Sequence, residues 1–282
     1  MEMARKTSID RLTIMGSNIG ILKGYINLNS YLYYEGFSKN YGFRYAYKGL
    51  NGELLEVGNK EKIRIDFNPN KANMDEIKKI LSCIKHPYLT RLDIAIDYFG
   101  IDLSGFQWTS EKLRKRNIWT DFNGVLETLY IGAPSSEKRY RIYNKLQEQI
   151  AKGEKLSLKL NEKHWRVEVQ KRFTERENLK DGEYLLEDLF DIKPYSKDLN
   201  LDHIENPRER IMLRGILSNK NELSCLNAKT KTKYRKLMRE SIDRSGKSLK
   251  IVPPIDIYQE EREALKEDLI SIIENCSYKL AF

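Results

Sequence analysis

The chain has 282 residues with 40% hydrophobic content and a mean hydropathy of −0.63, enough for one good core and a smaller second unit. No run of 18 apolar residues appears, Met1-Glu2-Met3-Ala4-Arg5-Lys6 is not followed by the apolar stretch of a signal peptide, and Cys83, Cys225 and Cys276 are odd in number and far apart. A membrane protein and a disulfide-stapled secreted one are therefore not expected, and a net charge of +9 directs attention to nucleic acid in the cytoplasm.

In chain order, residues 9–15 read as a first strand. Residues 44–50 and 53–57 flank Asn51-Gly52, the strongest short hairpin signal, and 62–67 continue as a strand stopped by Asn68-Pro69-Asn70. Residues 74–84 have helical spacing, with Ile77, Ile80, Leu81 and Ile84 on one stripe. A strand over 91–97 follows. Residues 110–117 are expected as a short basic helix capped by Ser110, and 126–132 and 138–145 pair across Ala133-Pro134-Ser135-Ser136. A helix begins at 146–152. After a strand over 165–170 the pattern turns helical: 184–190, 209–217 and 231–242 are helical candidates, punctuated by Pro194 and Pro207. Pro253-Pro254 precedes a last amphipathic helix over 258–274, whose stripe of Leu265, Leu269, Ile272 and Ile273 either covers the core or joins a subunit contact.

Three of the strands are polar on one face and apolar on the other. Alternation puts Asp93 and Asp97 on one face of the first, Arg141 and Tyr143 on one face of the second, and Arg166 and Glu168 on one face of the third. Aspartate is depleted from strands, so two on one face call for a reason. If the three strands are neighbours, the shared face suits metal-assisted phosphoryl transfer to a tyrosine hydroxyl. Carboxylates bind Mg²⁺ or Mn²⁺, arginine forks onto phosphate, and a tyrosine with a pKa of about 10 needs a nearby cation, metal or base. Tyr143 lies between Arg141 and Lys145. With 17 tyrosines in the chain, packing is the commoner fate of any one of them, and Tyr140 and Tyr130 stand next in line.

The blocks 62–70, 90–97, 128–132, 141–145 and 165–168, in this order, make the chain resemble the Rep_trans family of rolling-circle plasmid replication initiators, which is related to relaxases of conjugative elements. The resemblance covers roughly residues 8–195. It implies a sequence-specific nickase that joins a tyrosine to the 5′ end of the nick and frees a 3′-hydroxyl, with later strand transfer. Carried over residue by residue, it implies Tyr143 as nucleophile, Asp93, Asp97 and Glu168 as metal-binding acids, and Arg141 and Lys145 as holders of the scissile phosphate. It also implies homodimers, recruitment of a host helicase, and origin specificity toward the C-terminus. A conjugative relaxase with the same chemistry, or a non-catalytic DNA-binding regulator, remains the alternative. His86, His164 and His203 are isolated, so the metal site is expected to be all oxygen, favouring Mg²⁺ or Mn²⁺ over Zn²⁺.

Positive charge gathers late in the chain. Residues 206–248 hold 12 Lys and Arg against 4 Asp and Glu, a candidate surface for duplex DNA or simply a solvated helix. Lys229, Lys231, Lys233 and Lys236 suit phosphates, and Asn227, Arg235 and Arg239 suit base edges. The expected architecture is α+β. A largely antiparallel sheet carries helices on one face and the site on the other, with a catalytic unit over 1–205 and a basic helical region over 206–282. Its partners are plasmid origin duplex and a single-stranded nick site, without a membrane.

Overall fold

The computed structural model describes residues 5–18, 31–110, 112–154, 163–178, 186–196, 199–218, 220–246 and 251–274. In chain order the elements are β1 (Arg5–Asn18), β2 (Leu32–Phe37), β3 (Phe43–Gly49), β4 (Leu54–Gly58), β5 (Lys62–Phe67), α1 (Met74–Ser82), β6 (Ile84–Phe99), β7 (Phe106–Ser110) and β8 (Arg116–Thr120). They continue with β9 (Leu126–Ile131), β10 (Lys138–Asn144), α2 (Lys145–Ala151), β11 (His164–Asn178), β12 (Ile192–Ser196), α3 (Pro207–Ser218), α4 (Ala228–Gly246) and α5 (Pro254–Glu274). Ten strands form one sheet in the order β2-β3-β4-β5-β1-β6-β11-β10-β9-β8, every pair antiparallel, and β12 and β7 form a small second sheet. The fold is α+β, as the alternating and helical patterns imply.

Side-chain alternation divides the large sheet into two faces. Leu12, Ile14, Ile63, Ile65, Leu92, Ile94, Ile96, Ile142, Val167 and Val169 are buried on one of them. Ile77, Ile80 and Leu81 of α1, Trp108 of β7, Ile192 of β12, and Ile257, Tyr258, Leu265 and Leu269 of α5 cover that face. Each such buried side chain contributes about 1.5–3 kcal/mol. Two hydroxyls tie α5 and its approach to the rest: Tyr98 donates to the Val252 carbonyl at 3.0 Å, and Tyr258 donates to the Leu186 carbonyl. The stripe on α5 thus covers the core through Leu265 and Leu269; the side chain of Ile273 lies outside the described residues.

Helix starts follow the capping chemistry in the sequence. Asn73 accepts from the Asp75 and Glu76 amides to open α1, Asn144 from Gln147 to open α2, Asn206 from Arg208 to open α3, and Asn227 from Thr230 to open α4. Pro207 and Pro254 occupy first helical positions, where their missing N–H costs nothing.

Two expectations are corrected. Residues 110–117 do not form a helix: the Ser110 hydroxyl accepts from the amides of Lys112 and Leu113, but the chain then enters β8 and pairs with β9. Ile118 and Trp119 are strand formers, and the cross-strand ladder outweighs local helical spacing. Nor do the described residues turn helical directly after Gln170. β11 runs on to Asn178 beside β6, residues 186–188 form a turn with Asp188 at φ 48°, and Pro194 lies inside β12; residues 184–185 are outside the described set. Among the described residues helix resumes at Pro207.

Tyr195, Leu199, Leu201, Ile204, Leu213, Ile216, Tyr234 and Ile242 form a second, smaller core. α3 and α4 belong to it, whereas α5 returns to the large sheet, so residues 206–282 are not packed as one unit. Among the described residues no helix is long and apolar enough to cross a membrane, and Cys83 and Cys225 are free thiols.

The β9–β10 turn aligns two strands of the polar face and depends on Gly132. Its φ is 104°, and a Cβ there would lie 2.8 Å from the Lys138 carbonyl oxygen. Gly132→Ala is expected to lower stability by about 1–3 kcal/mol, read as a lower midpoint in urea denaturation; an unchanged midpoint would show that the turn relaxes freely.

Candidate active site

Strand register assembles the polar face. Arg141 pairs with Glu168 and Tyr143 with Arg166 between β10 and β11, while Arg166 pairs with Asp97 and Gln170 with Asp93 between β11 and β6. Tyr130 on β9 lies opposite Arg141. A cleft on this face is lined by Asp10, Arg91, Asp93, Tyr130, Arg139, Arg141, Tyr143, Lys145, Glu148 and Glu168, among others. Five of the six catalytic and metal candidates read from the sequence therefore meet in one place.

Asp97 is the sixth, and it stands apart from the cleft. Arg166 forks onto it, Nε and Nη2 each donating to one carboxylate oxygen at 2.8 Å, and His164 Nε2 lies 2.8 Å from the same carboxylate. Burial opposes the charge of Asp97, but His164 and Arg166 hold its carboxyl below the ordinary range. Its oxygens serve to position Arg166, whose remaining nitrogen donates to Asp10 at 2.7 Å. His164 touches the network through this contact and stacks on Phe99 at 4.5 Å between ring centroids.

The other two acids differ. Asp93 is gripped by Arg91, and its carboxyl is pushed up by burial against that pull. Glu168 makes no hydrogen bond or ion pair with another described residue. Its carboxyl is raised to about 7, first by burial and then by the negative charge of Asp93 and Asp10. Arg91 holds Asp93 and Arg166 holds Asp10, so of these three acids Glu168 is the one without a cationic partner among the described residues. Among the described residues no three ligating side chains converge tightly enough to enclose an ion on their own. Asp93 and Glu168 could supply at most two ligands, so a Mg²⁺ or Mn²⁺ ion here would have to complete its shell with phosphate oxygens and water.

Asp10 was not read as a site residue. Plain alternation along β1 would send it to the apolar face with Leu12 and Ile14, but a bulge between Ile9 and Arg11 turns it into the cleft. Further along this face Arg64 bridges Glu56 and Asp66, and Asp66 also accepts from Arg11 and Thr13. Those charges are paired among themselves; Glu168 has no such partner among the described residues.

Opposite the acids lies a cationic wall. The Arg141 guanidinium carbon sits 3.7 Å from the centroid of the Tyr143 ring and Lys145 Nζ 5.6 Å from it. Glu148, one turn into α2, binds Lys145 at 2.6 Å, Arg141 at 3.2 Å and Lys152 at 3.2 Å. Burial opposes its charge, yet these cations bring its carboxyl down to about 2. The hydroxyl of Tyr143 is pushed up by burial and by Glu168, against Arg166 and Arg141. Nε of Arg139, Nε of Arg141 and Nε2 of Gln170 are buried without a hydrogen-bond acceptor among the described residues. Donors left in that state mark a place for an anion. Tyr140 is on the other face, where its hydroxyl donates to the Leu189 carbonyl at 2.7 Å and to Asp191, so packing explains it. Tyr130 remains on the site face, 4.0 Å from the Arg139 guanidinium carbon.

The basic segment is the outer face of α4. Tyr234 and Ile242 pack inward, while Lys229, Lys233, Arg235, Lys236 and Arg239 are exposed and Lys231 is half-buried. The Asn227 side-chain oxygen is committed to the helix cap, and Lys233 is paired with Glu209.

No family model matches the chain. It is 32% identical over 190 residues to a replication initiation protein of Staphylococcus aureus, covering 66% of this chain and 57% of that protein. A second replication initiation protein of Staphylococcus aureus is 31% identical over 211 residues, covering 73% and 60%. The chain thus spans under two thirds of the length of these curated relatives. A solved rolling circle replication initiator protein from Geobacillus stearothermophilus aligns with a TM-score of 0.45 and 18% identity, over 71% of this chain and 90% of that one. With about a third of aligned residues identical over most of its length, the chain is a homologue of the replication initiation proteins.

Proposed function

We propose that this protein initiates rolling-circle replication of a plasmid by nicking one strand of supercoiled origin DNA with Tyr143. The observation that carries the proposal is the meeting of Tyr143 with Arg141, Lys145 and the acceptor-less nitrogens of Arg139 and Arg141 on a face opened by Glu168. The sequence relatives, named as replication initiation proteins, favour this outcome over conjugative transfer.

Arg139 and Arg141 present fixed cationic donors to the scissile phosphate, and Lys145, tethered by Glu148, adds a second charge. Their positions are set by strand register before DNA arrives, so little reorganisation is needed. In the free protein the Tyr143 hydroxyl stays protonated, because burial and Glu168 both favour the neutral form. A divalent cation bound by Glu168 and Asp93 would cancel one of those two causes and draw charge from the phosphate. The bond from Tyr143 Oη to phosphorus replaces the bond to the 3′-oxygen, which leaves as a 3′-hydroxyl that primes a polymerase. Reversal of the step at a new end religates the strand. On this reading the protein works as a homodimer with a host helicase, and α4 docks the origin duplex while an unpaired strand enters the cleft.

Tyr143→Phe is expected to abolish nicking of a supercoiled plasmid carrying the DNA that flanks this coding sequence, while duplex binding stays within about two-fold, because only the attacking oxygen is removed. Denaturing gels of labelled DNA read the covalent adduct. An adduct in the mutant would move the assignment to Tyr130.

Glu168 generates a prediction about pH. Its folded-state carboxyl is raised to about 7, so the protein without metal loses stability as pH climbs from the ordinary glutamate range through about 7. Glu168→Gln removes that loss. Thermal melts in EDTA should show the mutant and wild type alike near pH 5 and the mutant more stable above pH 7, by up to about 3 kcal/mol. Added Mn²⁺ should raise the melting temperature of the wild type and leave the mutant unmoved; equal responses would remove Glu168 from the ion site.

Replacing Lys229, Lys231 and Lys236 by Ala should flatten the salt dependence of origin-duplex binding by up to about three units of slope, at roughly 0.9 per phosphate. Lys233→Ala should change it less, since Glu209 already holds that charge. Cleavage of a short single strand at high concentration should be nearly unaffected by these changes. A slope unmoved by the triple substitution would leave α4 as a solvated basic face.

A further inference from the structure

The cross-strand rows that build the cleft continue to the free edge of the sheet. Tyr143 lies opposite Thr128 on β9, and Thr128 lies opposite Trp119 on β8. Alternation therefore places Trp119 on the face of Tyr143, two strands away and roughly 10 Å along the hydrogen-bonding direction. The adjacent row runs Asn117, Tyr130, Arg141, Glu168 across the same strands.

Trp119 is 63% exposed, while the chain's other two tryptophans, Trp108 and Trp165, are buried. Phe122 stands 97% exposed in the turn that follows. That turn is braced: the Asp121 carboxylate accepts from the amides of Asn123 at 2.9 Å and Val125 at 2.8 Å, so Phe122 is held outward by an ordered loop. Neither ring packs on the large core. Large aromatics on an edge strand cost solubility and invite unwanted pairing, so their presence calls for an occupant.

Charge indicates which occupant. Exposed Lys112, Arg114 and Lys115 lead directly into β8, and Arg139 and Arg141 lie on the strand beyond β9 with buried nitrogens lacking acceptors among the described residues. Protein interfaces are depleted of lysine at their centres. Aromatic rings set among cations along a groove are instead how proteins hold unpaired nucleic acid, the bases stacking on the rings and the backbone following the charge.

We propose that Trp119 is a base-stacking residue which, with the cations at 112–115, holds single-stranded DNA beside the phosphate presented to Tyr143. The identity of that phosphate rests on the nickase reading above; the stacking contact itself requires no chemistry. Because every base has a π-face, the contact tolerates any sequence and positions the strand without selecting it. Trp119 thus acts as a positioning residue for the reaction.

An end-labelled oligothymidylate of about twenty nucleotides tests this, with anisotropy measured on the full chain in EDTA so that no cleavage intervenes. Trp119→Ala should weaken binding about ten-fold or more, and Trp119→Phe, which keeps a ring, by no more than a few-fold. Unlabelled oligothymidylate should quench the tryptophan emission of the wild type, and the quench should vanish in Trp119→Phe because Trp108 and Trp165 are buried. Wild-type affinity in Trp119→Ala, or wild-type emission unchanged at saturation, overturns the proposal. So does a Trp119→Ala protein that shifts from dimer to monomer in sedimentation while keeping its affinity, which would make β8 a subunit contact. A covalent adduct persisting in Tyr143→Phe would move the nucleophile to Tyr130, and the lack of any adduct in the wild type would unseat the nickase assignment; either result leaves the stacking result standing.

Discussion

The site depends on the fork of Arg166 onto Asp97. It joins the two central strands of the polar face, β11 and β6, at residues paired directly across the ladder, and its third arm reaches Asp10 on β1. A buried ion pair of this kind adds little net stability compared with apolar packing, because both charges leave water. What it supplies is geometry. A one-residue slip of β11 would turn Arg166 and Glu168 into the core and strand Asp97 without a partner, so the penalty for the wrong register is large. The same register sets Glu168 opposite Arg141 and Tyr143 opposite Arg166.

With the frame set, the face separates into two kinds of charge. Toward β4 and β5 the ions are neutralised within the protein, as in the Glu56, Arg64 and Asp66 chain. Around the cleft the pairing is incomplete: Glu168 is raised to about 7, and Nε of Arg139 and Nε of Arg141 lack acceptors among the described residues. Unsatisfied groups of both signs facing one cleft destabilise the free protein. Such a cost is expected where a ligand carrying both phosphate and counter-ion is to be bound, since it is recovered on binding.

The polar cleft and the basic face of α4 belong to separate packing units. The cleft rides on the large sheet, while α4 is anchored in the smaller core through Tyr234 and Ile242. α5 crosses back to the sheet and closes its apolar face, so the part of the chain rich in positive charge is held between two segments of the main body. Substitutions on the outer face of α4 can therefore alter charge without disturbing the rows of β6, β11 and β10.

The sequence by itself determined the strands of the polar face and most of the side chains that line its cleft. Period-two alternation is a local property, and Asp93, Arg141, Tyr143 and Glu168 declare their face from their own strands; helix caps at Asn144 and Asn227 are equally local. Tertiary structure decided how each group there is paired. Asp97 carries the same local signature as Asp93, and only the approach of His164 and Arg166 from β11 ties up its carboxylate away from the cleft. Asp10 is turned into the cleft by a bulge that pairing with β6 imposes, against the alternation of its own strand. Residues 110–117 have helical spacing, but β9 offers a ladder that outweighs it. Pairing partners lie tens of residues away, and neither hydrogen bonds across strands nor the burial that shifts a carboxyl can be computed from near neighbours in the chain.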